Sequence, residues 1–223
     1  PAISALQFPD KDGKLQNFST GKWPNSTLLL SPRAGFRWKV PDEKGLTLRG
    51  GTGVFTGKIP FVFLTNMPSN SGVYQNGAVL NSTVQLADVT FNPNPDAYVS
   101  KFPSTITAKA PGSIVLLDPK FKFPQVFRTN LGIDKQLGNG FVASLDILYT
   151  KDINAVKMRN ANLIDPSGTL VGADNRPFYP STTAAAAKYV NPDLAGVGKG
   201  GTVIILENTK KGYSFASTAQ ISK

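Results

Sequence analysis

An all-β chain of antiparallel, up-and-down strands is what this sequence predicts, and three observations carry the prediction. The 21 glycines and 17 prolines, scattered through 223 residues without a repeat, punctuate the chain too often for long helices. Several segments alternate apolar and polar residues with a period of two, the signature of a strand with two unlike faces. The connections between those segments are either very short or very long.

The first strand is RAGFRWKV, residues 33 to 40, where Ala34, Phe36, Trp38 and Val40 alternate with Arg33, Gly35, Arg37 and Lys39. One face is apolar and aromatic; the other carries three cations. The turn PDEKG (41 to 45) leads into LTLRGGTGVFT, with Leu46 and Leu48 on one face and Thr47 and Arg49 on the other, so the two strands form a hairpin. A second hairpin starts at TNLGIDKQL, where Leu131 and Ile133 oppose Asn130, Gly132 and Asp134, and turns at Gly138-Asn139-Gly140. Its return strand places Phe141, Ala143, Leu145, Ile147 and Tyr149 on one face and Ser144, Asp146 and Thr150 on the other, with Val142 and Leu148 out of pattern. The last strand, 213 to 223, sets Tyr213, Phe215, Ala219 and Ile221 against Ser214, Thr218, Gln220 and Ser222.

Residues 57 to 122 and 151 to 212 are excursions far longer than compact soluble domains tolerate without structure of their own. They are expected to be folded, with extra strands at FVFLTN (61 to 66), VLNSTVQL (79 to 86) and TVIILEN (202 to 208). One short loop helix is expected at TTAAAAKYV, capped by Ser181 and bracketed by Pro180 and Pro192. No internal repeat and no domain linker interrupts the chain, so residues 1 to 223 are read as a single segment.

Composition excludes several function classes. Cysteine and histidine are both absent, which removes disulfides, thiolate nucleophiles, Ser-His-Asp triads and zinc catalysis. The two glutamates, Glu43 in a turn and Glu207 near a loop end, do not form a spaced acid-base pair, so the chain is not expected to be an enzyme or to need a cofactor or metal. The net charge of +10 is spread thinly, its densest cluster being Lys210-Lys211, and no nucleic-acid partner is expected.

Three motif-like stretches have plainer readings. RGGTGVFTGK (49 to 58) lacks the phosphate-loop glycine at Thr52 and the hydroxyl residue at Ile59, and reads as backbone room within a strand. Asp10, Asp12 and Gly13 of PDKDGK lack the remaining oxygen ligands of a calcium loop and read as a turn. The triplets at Asn17, Asn25 and Asn81 would be glycosylated only in a eukaryotic secreted protein.

No stretch approaches the roughly 20 apolar residues that a spanning helix needs. A barrel strand needs only about 10 residues of alternating character, so the mean hydropathy of −0.12 does not weigh against a membrane barrel. Short turns on one rim and long loops on the other are the geometry of such a barrel. Aromatics near strand ends, at Phe141, Tyr149 and Tyr213, suit an interfacial girdle. Arg37, Lys39, Arg49, Arg128 and Asp134, with Gly35 and Gly132, suit a polar interior. The alternative is a soluble β-sandwich binding module, for glycans or adhesion, with Tyr74, Tyr98 and Tyr179 exposed on its loops.

The stretch FKFPQVFRTNLGIDKQLGNGFVASLDILYTKDINAV (121 to 156) resembles the barrel of TonB-dependent receptors, most closely the Oar-like subgroup of Bacteroidota. SPRAGFRWKV, LTLRGGTGVFTGKIPFVFLTN, RNANLIDPSGTL, DNRPFY and ENTKKGYSFASTAQISK add to the likeness, which covers most of residues 31 to 223. The resemblance implies a partial transmembrane β-barrel of five to six strands with long extracellular loops, in a transporter of the bacterial outer membrane. Its implied partners are the rest of the barrel, a plug domain, outer-membrane lipid, TonB acting through that plug, and an extracellular ligand or partner protein. It assigns no ligand-binding residue. No plug domain or TonB box stands in these residues, and about five strands do not close a barrel of that size. The chain opens at Pro1-Ala2 without a signal peptide and stops in an alternating run, so both ends are expected to be cuts in a longer polypeptide.

Overall fold

Period-two alternation makes strands wherever the sequence shows it. The computed structural model describes residues 3–71, 82–83, 86–87, 89–101, 111–179, 188–196 and 201–223. Among the described residues, twelve strands run in chain order: β1 (Gln7–Pro9), β2 (Leu15–Asn17), β3 (Arg33–Lys39), β4 (Leu46–Thr56), β5 (Ser113–Leu117), β6 (Gln125–Gly138), β7 (Phe141–Asp152), β8 (Ala155–Asn160), β9 (Gly168–Thr169), β10 (Pro177–Phe178), β11 (Thr202–Thr209) and β12 (Tyr213–Ser222). An α-helix, α1, spans Val62–Ser69.

Five strands form one antiparallel sheet in the order β12-β7-β6-β4-β3. Both predicted hairpins are present, β3 with β4 and β6 with β7. The sheet is open, since β3 and β12 each have a single neighbour. The first turn ends on Gly45 at φ 70°, and the second takes positive φ at Gly138, Asn139 and Gly140. Those are the residue types that enter the left-handed region most readily. A bulge at Leu137, between the pairs Gln136–Val142 and Gly138–Phe141, takes up the extra residue before the turn. Because neighbouring strands are antiparallel, both short turns lie at one end of the sheet and both long excursions leave from the other.

The chain divides into two compact units. One comprises residues 23–63, 117–159 and 206–223 and contains the five-stranded sheet; the other comprises 1–22, 64–116 and 160–205. The second unit has its own hydrophobic core, built from Ile3, Phe8, Phe18, Ile114, Leu116, Ala161, Leu194, Val203 and Ile205. Asn162, fully buried, donates to the carbonyls of Gly201 at 2.6 Å and Asn191 at 3.3 Å and accepts from the Asn191 amide at 2.8 Å. Its side chain thus bonds in both directions, as a buried amide must.

TVIILEN is strand β11, as its run of β-branched residues predicts; it lies between β5 and β8 in a three-stranded sheet. FVFLTN is not a strand. It belongs to α1, where Leu64 and Met67, three residues apart, are the buried pair and the Phe63 amide bonds to the Pro60 carbonyl. A short continuous apolar run does not distinguish strand from helix, and here the i, i+3 spacing prevailed. Most of VLNSTVQL and the Ser181-capped helix, up to residue 187, lie outside the described residues. PDKDGK is the turn between β1 and β2: Asp10 Oδ1 accepts from the amides of Asp12 and Lys14, each at 2.9 Å, and Gly13 sits at φ 82°.

Candidate functional site

The register of the five strands sorts every side chain onto one of two faces. On the apolar face the rows read Trp38, Leu48, Ile133, Leu145, Ala219 and then Phe36, Gly50, Leu131, Ile147, Ser217. Towards the long excursions follow Ala34, Thr52, Thr129, Tyr149, Phe215 and then Val54, Phe127, Lys151, Tyr213. From the Leu46 row to the Val54 row the strand rises about 26 Å before tilt, against a lipid-facing band about 25 Å tall in membrane barrels.

These apolar side chains are exposed. Phe36 is 55% exposed, Trp38 53%, Leu131 46% and Leu145 41%, while the buried hydrophobic residues lie elsewhere in the chain. The strands therefore have no shared dry interior of the kind a soluble sandwich requires. Aromatics gather at the two ends of the face, Trp38 and Phe141 by the short turns and Phe127, Tyr149, Tyr213 and Phe215 by the excursions, with Phe36 in the middle row the exception. This is the girdle pattern. Phe36 lies over Gly50, where a Cβ would come within 2.7 Å of its ring, so that glycine gives the ring its seat.

The opposite face is polar and centres on Arg49. Its guanidinium bonds Asp134 through Nε at 2.9 Å and Nη2 at 3.2 Å, and Asp146 through Nη1 at 2.7 Å and Nη2 at 2.8 Å. One arginine on β4 thus clamps carboxylates on β6 and β7. Arg37 stands directly across from Arg49, and Lys39 is level with Asp134. Arg128 donates to Thr150 at 3.2 Å, and the Arg33 guanidinium lies 4.5 Å over the Phe55 ring. Gly35 pairs with Gly51, while Gly132 leaves room for the clamp.

A Cβ at Gly132 would stand 2.7 Å from both Arg49 Cζ and Asp146 Oδ1. Gly132→Ala is expected to push the guanidinium off one carboxylate and cost about 2 kcal/mol, as overpacking of a filled site does. Urea unfolding of the variant against the parent measures it, and a change below a few tenths would show that the clamp yields freely.

Three further ion pairs, around two glutamates, lie outside the spanning strands or at their border. Lys135 reaches Glu43 in the first turn at 2.6 Å; the hydrogen bond from its ammonium holds the Glu43 carboxyl below the usual carboxylate range. Glu207 of β11, 2% exposed, meets Lys157 at 2.9 Å and Arg159 at 3.1 Å. Burial pushes its carboxyl up, but the hydrogen bonds from Arg159 and Lys157 outweigh that and hold it low. The two glutamates are thus engaged separately with cations.

The positions expected on the polar face, Arg37, Lys39, Arg49, Arg128 and Asp134, are all there. What strand-by-strand reading missed is the clamp itself, whose members are 85 and 97 positions apart. The signal was opposite charges at matching depth on strands that become neighbours only once the excursions are skipped. Of the loop tyrosines, Tyr179 is exposed, the Tyr98 hydroxyl donates to the Thr90 carbonyl, and Tyr74 lies outside the described residues. Among the described residues no group of His, Cys, Asp and Glu is arranged to hold a metal ion.

The model of a family described as an outer membrane beta barrel domain matches residues 4–217. No curated protein and no solved structure matches the chain. The family match and the exposed apolar side chains together displace the soluble sandwich reading.

Proposed function

The chain belongs to the outer membrane beta barrel domain family and is an outer-membrane protein, and from that premise we propose that it supplies wall and outward-facing loops to a TonB-dependent receptor. The observation that carries this reading is the pairing of tight turns at one end of the sheet with excursions at the other that share a buried core with Ile3, Phe8 and Phe18. A simple pore has little use for excursions of this length. A receptor does, because ligand selection happens in its external loops.

The polar face supports the same reading. Cations at Arg37 and Lys39, beside the Arg49 clamp, suit contact with a polar plug more than with lipid. The edges at β3 and β12 suit pairing with further strands of the same barrel. The role so described is non-enzymatic, and the Oar-like subgroup is the finer placement that the sequence resemblance favours.

The test uses the intact protein extracted from outer membranes. It is expected to bind a soluble periplasmic fragment of TonB and, reconstituted in a planar bilayer, to stay silent because a plug fills the lumen. A permanently open conductance without TonB binding would replace the receptor with a porin-like protein.

A further inference from the structure

A shallow depression of about 650 Å³ opens on the apolar face near the short-turn end. Its shape follows from two registered rows, Ile133-Leu145-Ala219 and Lys135-Ala143-Ile221. Ala143 is the low centre between longer side chains, and Ala219 extends the trough diagonally. Its lining, which also includes Ser144 and Gln220, comes from β6, β7 and the edge strand β12.

The rim carries two lysines and one glutamate. Lys135 stands at one side, held in place by Glu43 at 2.6 Å with ammonium protons to spare. Lys223 follows Ile221 on the same face, its ammonium 5.0 Å over the Phe141 ring. An apolar trough running from the hydrocarbon depth to two lysines at the interface has the layout of one lipid molecule: tail in the trough, headgroup between the cations. Short turns of outer-membrane barrels face the periplasm, the side of the phospholipid leaflet.

We propose that this depression is a binding site for an anionic glycerophospholipid, one acyl chain lying over Ala143 and Ala219 and the phosphate meeting Lys223 and Lys135. Basic groups beside membrane-embedded apolar grooves select anionic headgroups in this way. The inference rests on the outer-membrane placement and not on the receptor reading, so silent or open conductance leaves it untouched.

Native mass spectrometry of the intact detergent-solubilised protein, titrated with phosphatidylglycerol or with phosphatidylethanolamine, tests it. The parent is expected to retain phosphatidylglycerol at least about fivefold better, the factor one interfacial lysine contributes. Lys223→Gln lowers that preference without changing phosphatidylethanolamine retention, whereas Ala143→Leu, which fills the trough, lowers retention of both. Compact migration of unboiled samples shows that each variant is folded, and Ala219→Leu gives an independent filling variant. Equal retention of the two lipids by the parent, or unchanged retention in both filled variants, overturns the site.

Discussion

Leu131→Arg is expected to destabilise the protein in a lipid bilayer by about 2–4 kcal/mol, the cost of a cation on the lipid face near mid-depth. Leu131 lies in the middle row of the apolar face, between Gly50 and Ile147, with lipid-facing rows on both sides of it. The arginine has too far to reach for either interface, so it retains its full desolvation cost. Thr218→Arg is the matched control: Thr218 pairs with Asp146 on the polar face, and the substitution is expected to stay within about 1 kcal/mol. Urea unfolding of both variants in vesicles checks the pair. Equal effects at the two positions would mean that the faces are not lipid and lumen.

Arg159→Ala carries the other large effect, about 3 kcal/mol, because it leaves Glu207 nearly buried with Lys157 as its only cation. The half-exposed Lys157 keeps the loss at the lower end of the range for broken buried pairs. The pH dependence follows from the sign of the shift. Glu207 is held below the ordinary carboxylate range, so its ion pairs contribute fully above that range and are lost as pH falls through the lowered value. Without Arg159 the carboxyl takes up its proton at higher pH, which relieves the uncompensated charge. The cost of the substitution is therefore expected to shrink between pH 7 and about pH 4. Denaturant midpoints at the two pH values decide it, and a cost independent of pH would assign Arg159 a packing role alone.

The hairpins were legible because their information is local. Period-two alternation in RAGFRWKV, and glycine and asparagine at 138 to 140, specify strand and turn within a few residues of one another. The pairing of β4 with β6 was not, since those strands are separated by an excursion. Its register emerges only from matching Leu48 with Ile133 and Gly50 with Leu131. The Arg49 clamp is hidden for the same reason. FVFLTN misled because VFL is apolar without alternation, and only the burial of Leu64 and Met67 reveals its helical period.

The order in which the chain can zip together follows from its separate loop core. The β3–β4 and β6–β7 hairpins have nearby ends and can close within microseconds. Joining β4 to β6 requires closing the chain across residues 57–124, an entropic toll that rises slowly with the free length of the tether. If Ile114, Leu116, Val203 and Ile205 gather with Phe8 beforehand, part of that tether is already condensed when the hairpins meet. The nucleus that decides how quickly the membrane wall forms would then lie outside the wall.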